Sequence, residues 1–212
     1  PHFRYYVPQD LPNINELRLF CTFALAIGEK EQNDYTAGVV AGVDNAANIY
    51  VLRVYHEKID ALKIAELLFD IWDDWKPEVI GLEKGHIEGT MAPFLAKMAE
   101  ERRVFPFFDP LPVGRKDKVA RAQAIRGWMA HGKVYWNRMD PMQNEAIEEL
   151  LKFPNGKHDD RVDMMAHLGQ MLQDMFGAGE DKAPVKTAAK WREEFERKLS
   201  MAGTEGSTHM SA

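Results

Sequence analysis

Residues 35–55 have the sequence YTAGVVAGVDNAANIYVLRVY and contain two predicted β-strands joined by a short turn. Val, Ile, Tyr and Thr dominate residues 35–43 and 49–55, and these residue types favour strands. The intervening residues 44–48 are rich in Asn and Asp, which favour turns. Residues 17–26 form an apolar run before this hairpin and predict a strand of their own. The three segments therefore predict an antiparallel meander at the start of the fold.

Downstream of the meander, segments with helical spacing alternate with short apolar segments. Residues 59–75 predict an amphipathic helix, and residues 78–83 predict a buried strand that ends in Glu83. Residues 104–113 contain three prolines, so we expect an edge strand or a loop there. The other segments predict helices over 88–103, 116–132, 141–152 and from 159 onward, with a short strand over 133–138. This order predicts an α/β fold whose mixed sheet, a meander plus parallel strands, is flanked by helices.

Length and composition limit the class of protein. The 212 residues suffice for one large domain, and a hydrophobic content of 45% favours a globular chain. No apolar run approaches the roughly 20 residues that span a bilayer, so no membrane segment is expected. Cys21 is the only cysteine, which excludes a disulfide framework and a cysteine zinc site and fits a reducing cytoplasm. Because the chain starts at Pro1, we expect a piece of a longer protein.

Composition also divides the chain into three parts. Residues 1–16 contain three prolines and no helical period, so they predict a linker or lead-in arm. Residues 17–177 carry the predicted domain. Residues 178–212 predict a polar tail with one charged helix over 186–199 and a disordered end rich in Gly, Ser and Thr.

Three carboxylates crowd the point where the last predicted loop meets its helix. The stretch is His158-Asp159-Asp160-Arg161-Val162-Asp163. One or two acids at a helix N-terminus are explained as cap and dipole partners. Several close acids repel one another unless a cation neutralises them, which indicates a hard divalent metal bound through oxygen. This stretch alone does not decide between two interpretations of the acids: a capping Asp with solvated neighbours, or a metal site.

A basic cluster lies between residues 114 and 138, although the whole chain has a net charge of −6. Seven cations stand there against Asp117 alone: Arg115, Lys116, Lys118, Arg121, Arg126, Lys133 and Arg138. Clustered Lys and Arg suit a phosphate backbone, whereas the bland alternative is a solvated helix face. We take Arg115, Lys116, Lys118 and Arg121 as the candidate DNA contacts.

Several motifs occur in one order along residues 17–177. They are Asn33-Asp34-Tyr35-Thr36-Ala37, Ile49-Tyr50-Val51-Leu52, Ile80-Gly81-Leu82-Glu83, Asp117-Lys118-Val119-Ala120-Arg121-Ala122, Gly132-Lys133-Val134 and Phe153-Pro154-x-Gly156-x-His158-Asp159-Asp160-x-Val162-Asp163. This layout resembles the ribonuclease-H-like nucleases, and more closely the C-terminal nuclease domain of the large terminase subunit of tailed bacteriophages. No Gly-x-x-x-x-Gly-Lys-Ser/Thr loop occurs, so ATP hydrolysis is not expected of this piece.

The resemblance also exposes a departure at the end of the first strand. The family pattern implies an Asp there, in a phrase such as Asp-Leu-Ala-x-Gly. This chain has Thr22-Phe23-Ala24-Leu25-Ala26-Ile27-Gly28, with Ala24 at the place of that carboxylate. Either the chain is a natural inactive variant or an Asp was replaced by engineering, and the intact remainder of the site favours engineering. We therefore expect a protein that is inactive or nearly so.

The resemblance implies a two-ion catalytic site. Its catalytic positions are Ala24, where the carboxylate is lost, Glu83 and Asp160. Its metal ligands are Glu83, Asp160 and the neighbouring Asp159 and Asp163. Alternatively, Asp159 is the N-cap of the helix and not a ligand. Two Mg²⁺ or Mn²⁺ ions are expected in the intact site, because oxygen ligands favour these ions over zinc.

Four further side chains are weaker candidates. Asp34 is interpreted as a turn residue and His86 as a structural or solvated loop residue. His167 is interpreted as a packing residue. His158 either orients a phosphate or water or belongs to a capping loop.

The family implies a metal-dependent endonuclease that cuts concatemeric double-stranded DNA in the host bacterial cytoplasm when genome packaging starts and ends. The implied partners are double-stranded DNA and, in the full-length protein, an ATPase domain, the portal and the small terminase subunit. A Holliday-junction resolvase or transposase-like nuclease is a second interpretation. A non-catalytic DNA-binding or docking module, for which Ala24 would be native, is a third.

Overall fold

A computed structural model describes residues 3–26, 35–111 and 118–176, with only the backbone of Lys118 included. Within these ranges the strands are β1 Arg4–Tyr6, β2 Arg18–Ala24, β3 Thr36–Val43, β4 Ile49–Glu57, β5 Val79–Glu83, β6 Phe108–Leu111 and β7 Val134–Asn137. The helices are α1 Ala61–Trp75, α2 Lys84–Glu88, α3 Ala92–Arg102, α4 Lys118–Arg121, α5 Gln123–Ala130, α6 Pro141–Lys152 and α7 Asp160–Phe176. None of these helices has the length and apolar character needed to cross a membrane.

The strands form one mixed sheet in the order β1-β7-β4-β3-β2-β5-β6. β2, β3 and β4 pair antiparallel in sequence order, so the predicted meander is confirmed. β5 lies parallel to β2, β6 parallel to β5, and β7 parallel to β4. Since β2 and β5 run the same way, their C-terminal ends meet at one edge of the layer, where ligands of α/β proteins bind.

Two apolar layers cover the sheet. Every residue of β3 is buried, as expected for the central strand of a sheet covered on both faces. On one face Phe23 and Val40 pack with residues of α1 and α3 such as Leu68 and Leu95. On the other face Phe20 and Val39 pack in one core with α5, α6 and α7. The result is a three-layer α/β/α arrangement, with α7 packed on the sheet face against β2 and β3.

The regions around two predicted helices each contain an additional short helix in the structure. The helix predicted over 88–103 is α3, and a separate short helix, α2, begins directly after β5. Gly89 ends α2, and a Cβ at this position would lie 2.8 Å from the carbonyl oxygen of Gly85. Pro93 occupies the first turn of α3, where proline favours helix initiation. The helix predicted over 116–132 is divided into α4 and α5 around Ala122.

The predicted linker contributes a strand to the sheet. Arg4–Tyr6 pairs in parallel with β7, and the Tyr6 hydroxyl donates a 2.7 Å hydrogen bond to the carbonyl oxygen of Val51. Three residues are too few to show a strand period, so the sequence pattern could not reveal β1. The tail over 178–212 and its predicted helix lie outside the described residues, and the domain boundaries stay a prediction.

Gly169 lets α7 approach α5 closely. A Cβ at Gly169 would lie 2.5 Å from the backbone nitrogen of Ile125 and 2.9 Å from its Cα. We expect Gly169→Ala to lower the free energy of unfolding by about 1–3 kcal/mol, because backbone must move to admit the methyl group.

Gly127→Ala is the matched control, since a Cβ there meets nothing within 4 Å. Removing a helical glycine at that position should stabilise the protein by about 0.5–1 kcal/mol in urea unfolding. Equal effects of the two substitutions would contradict this packing.

Candidate active site

A pocket of about 240 Å³ lies where the C-terminal ends of β2 and β5 meet the N-terminus of α7. All the positions predicted as catalytic or metal-binding line it: Ala24, Glu83, Asp159, Asp160 and Asp163. Tyr35, Lys157 and His158 also contribute to its wall. The fold therefore brings together acids that are separated by more than 70 residues in the sequence.

Glu83 ends β5 and is held by two histidines. His167 Nε2 lies 3.2 Å from Glu83 Oε1, and His86 Nε2 lies 3.4 Å from Glu83 Oε2. The hydrogen bond from His167, and next that from His86, lower the pKa of Glu83 from 4.5 to about 2, against the opposing effect of burial. The carboxylate is therefore ionised throughout the physiological range.

The lowered pKa of Glu83 predicts a pH-dependent contribution to stability. Because the folded pKa of about 2 lies below the unfolded value of 4.5, the stabilisation is complete above pH 4.5. It is lost as the pH falls from 4.5 towards 2. We expect the difference in unfolding free energy between the parent protein and Glu83→Gln to shrink over this range in urea titrations. A difference that is constant from pH 6 to pH 2 would contradict the two histidine contacts.

The first turn of α7 presents its acids to the pocket. The Asp163 backbone N–H donates a 2.9 Å hydrogen bond to the Asp159 carbonyl oxygen, so Asp159 stands at the N-cap position. Asp160 Oδ2 lies 3.8 Å from His56 Nε2. Asp163 Oδ1 lies 3.2 Å from Arg121 Nη2. The partial positive charge of the helix N-terminus adds to these contacts in stabilising the acids.

Arg161, between these acids, anchors α7 to α6. Its backbone N–H donates a 2.8 Å hydrogen bond to Glu149 Oε1, and its Nη1 donates a 3.0 Å hydrogen bond to Glu149 Oε2. Glu145 accepts a further hydrogen bond from Nη2. Arg161 and Glu149 are both buried, so the pair fixes how the first turn of α7 meets the sheet.

The predicted DNA contacts are only partly described. Arg115 and Lys116 lie outside the described residues, as does the side chain of Lys118. The Arg121 side chain is 15% exposed and forms an ion pair with Asp163 at the wall of the pocket. Its place in the structure is thus beside the acids rather than on an open helix face, and its role in DNA binding stays a proposal.

The donor set fits a divalent ion in chemistry but is incomplete. The carboxylates of Glu83, Asp160 and their neighbours supply the oxygen ligands that Mg²⁺ and Mn²⁺ prefer. Yet among the described residues no group of three or more His, Cys, Asp or Glu is arranged to hold a metal ion. Ala24 brings a methyl group to the pocket wall where the resemblance implies a carboxylate.

Three histidines near the acids were not predicted as site residues. His167, predicted as packing, is buried and also contacts Glu83. It follows Asp163 by four residues, so one-turn spacing on the same helix face was the available signal. His86 was expected to be structural or solvated, and His56 carried no signal, because its contact with Asp160 joins distant parts of the chain. Asp34 lies outside the described residues.

The fold is similar to those of two phage large terminases of known structure. The large terminase nuclease from thermophilic phage G20c is similar over 71% of this chain and 79% of that chain, with 15% identity and a TM-score of 0.50. The same nuclease with bound magnesium is similar over 79% of this chain and 84% of that chain, with 13% identity and a TM-score of 0.55. The HK97 bacteriophage large terminase gives 80% coverage of this chain and 41% of that one, with 13% identity and a TM-score of 0.54. No curated protein sequence matches this chain significantly.

Sequence comparison gives the family directly. The family model described as "Terminase RNaseH-like domain" matches residues 25–172, which is 148 of the 212 residues. The match begins one residue after Ala24, so it carries no information about that position. The chain therefore belongs to the terminase RNaseH-like domain family, and its mixed sheet is the ribonuclease-H-like fold of a terminase nuclease domain.

Proposed function

We propose that this chain is the metal-dependent endonuclease domain of a viral DNA-packaging terminase, which cuts concatemeric double-stranded DNA. The observation that carries the proposal is the pocket at the ends of β2 and β5. Glu83, Asp160 and position 24 come from two strands and a helix and line the same small polar cavity. Acids that converge in this way in a chain of a nuclease-fold family are expected to serve phosphodiester hydrolysis.

Glu83 and Asp160 are the proposed ligands of two Mg²⁺ or Mn²⁺ ions, with Asp159 or Asp163 adjacent. Such ions, when bound, activate a water molecule and stabilise the leaving oxygen. Support comes from the carboxylate oxygens in the pocket wall, which favour these ions. The similar G20c nuclease was crystallised with magnesium, which is consistent with the same class of ion here.

The surrounding side chains prepare these acids for that task. His167 and His86 hold Glu83 ionised and orient both of its oxygens. Arg121 pairs with Asp163 and so reduces the repulsion among the acids of the α7 first turn. We propose that Arg115, Lys116 and Lys118, with Arg121, contact the DNA backbone. Arg121 lies beside the acids, so a phosphate bound by this cation would lie close to the pocket.

Ala24 makes the present chain inactive under this proposal. A non-catalytic DNA-binding or docking module is the second candidate, and one observation favours it: the described residues contain no three-ligand metal group. The two candidates differ in what Ala24→Asp does. An inactivated nuclease gains Mn²⁺ binding from this substitution, whereas a docking module does not.

The proposed setting is the bacterial host cytoplasm during phage assembly. In the full-length protein the proposed partners are an ATPase domain, the portal and the small terminase subunit. This chain covers 41% of the HK97 bacteriophage large terminase, which supports the proposal of a longer protein.

The experiment that tests the proposal is a cleavage assay of the Ala24→Asp protein with Mn²⁺ on three DNA substrates. A supercoiled plasmid and a linear duplex represent terminase substrates, and a four-way junction represents a resolvase substrate. Cleavage of plasmid and duplex without preference for the junction supports the terminase nuclease. Cleavage restricted to the junction would instead establish a resolvase.

A further inference from the structure

Ala24, Ala37 and His56 form one row across three neighbouring strands. Ala24 pairs with Ala37, and Ala37 pairs with His56, in the antiparallel ladders of β2, β3 and β4. Directly opposed residues place their side chains on the same face of a sheet. Ala24 and Ala37 both contribute to the core beneath α7. His56 therefore faces α7 at the level of position 24. The small side chain of Ala37 lies between His56 and position 24 in this row.

The His56 ring is fixed in place, yet one of its nitrogens lacks a hydrogen-bond partner in the part of the chain that the structure describes. The ring stacks on Tyr35, with centroids 4.2 Å apart and an interplanar angle of 11°. The side chain is only 11% exposed, and Nε2 is buried without a hydrogen-bond partner among the described residues. Buried polar atoms are rarely left in this state, so each such atom requires an explanation.

Asp160 supplies that explanation. Its Oδ2 lies 3.8 Å from His56 Nε2, which is too long for a hydrogen bond but within about 1 Å of one. Two other acids of the pocket have nitrogen partners, because Glu83 contacts His167 and Asp163 contacts Arg121. For Asp160, the nearby nitrogen is Nε2 of His56.

We propose that His56 is a positioning residue for Asp160. Its Nε2–H tautomer would donate to Oδ2 once the two groups close, and so would direct Oδ1 into the pocket. The inference rests on the proposed function, since the orientation of Asp160 matters for binding only if it ligates an ion. Hydrogen bonds to ligating side chains are worth roughly 10- to 100-fold in metal affinity.

Two substitutions of His56 in the Ala24→Asp protein separate positioning from packing. His56→Phe keeps a flat ring to stack on Tyr35 but has no nitrogen. His56→Gln keeps an N–H donor but has no ring. A positioning role predicts that His56→Phe weakens Mn²⁺ binding by about 10- to 100-fold in calorimetry, whereas His56→Gln loses much less. A packing role predicts the opposite order, with Mn²⁺ affinity following the melting temperature.

His131→Phe is the matched control, because His131 is exposed at the end of α5 and its Nδ1 lies 2.8 Å from the Gly127 carbonyl oxygen. It should leave Mn²⁺ affinity unchanged. If His56→Phe binds Mn²⁺ as well as the Ala24→Asp parent, the inference is overturned while the proposed function stands. If the Ala24→Asp parent binds no Mn²⁺, both are overturned. Should His56→Phe not fold, His56→Gln decides: retained affinity supports positioning, and lost affinity overturns it.

Discussion

Ala24→Asp is expected to convert an inactive protein into a Mn²⁺-dependent endonuclease whose cleavage rate rises by on the order of 10²–10³-fold. This is the size of effect found when one preorganised group that stabilises the transition state is removed or restored. Position 24 ends β2, which is the strand beside β5 and Glu83. A carboxylate there would complete the set that Glu83 and Asp160 begin.

The substitution fits the structure as well as the chemistry. Ala24 is only partly buried and lines a pocket of about 240 Å³, so two carboxylate oxygens have room without displacing the core. Plasmid nicking with Mn²⁺, against a chelator control, measures the gain. Ala24→Asn is the matched variant, since it has the shape of Asp but no charge, and it should stay inactive. Equal rates for Ala24→Asp, Ala24→Asn and the starting chain would contradict the proposed role of this position.

Arg161→Met should lower the free energy of unfolding by about 3–5 kcal/mol. The substitution leaves the Glu149 carboxylate buried, with its backbone hydrogen bond to residue 161 but without its guanidinium partner. Removing one member of a buried ion pair lowers stability by this amount because the remaining charge stays out of water. Methionine keeps most of the side-chain volume, so the loss reports the charge rather than a cavity. Urea unfolding at neutral pH measures it.

Arg18→Met is the control for this prediction. Arg18 also binds a glutamate, Glu78, at 2.7 Å, but the two side chains are 47% and 44% exposed. An exposed pair of this kind contributes about 0–1 kcal/mol. If Arg161→Met were as mild as Arg18→Met, the buried pair would not anchor the first turn of α7, and the placement of Asp160 and Asp163 would need another cause.

Local signals accounted for the elements that the sequence predicted well. The meander followed from β-branched runs and a polar turn. Helix α6 begins and ends as predicted, because Asp140 accepts the capping hydrogen bond from the Met142 N–H and Pro141 fills the first turn. The three prolines of residues 104–113 predicted an edge strand or a loop, and β6 lies at the edge of the sheet. In contrast, β1 depends on a parallel pairing with β7, more than 120 residues away, and leaves no local pattern.

The candidate site also combines residues that local sequence signals predicted with contacts that they did not predict. Acids at a strand end and a helix start were visible in sequence, and the structure brings these positions into one pocket. The contacts of Glu83 with His167, of Asp163 with Arg121 and of Asp160 with His56 join residues from different elements. Spacing along the chain does not show which of these residues pair, so the partner of each acid emerged only from the fold.

Anomalous diffraction from crystals of the Ala24→Asp protein soaked in Mn²⁺ shows whether the pocket binds an ion. We expect anomalous density in the pocket, within ligand distance of the carboxylates of Glu83, Asp160 and residue 24. Density that is absent from the pocket, or that contacts neither Glu83 nor Asp160, would contradict the proposed function.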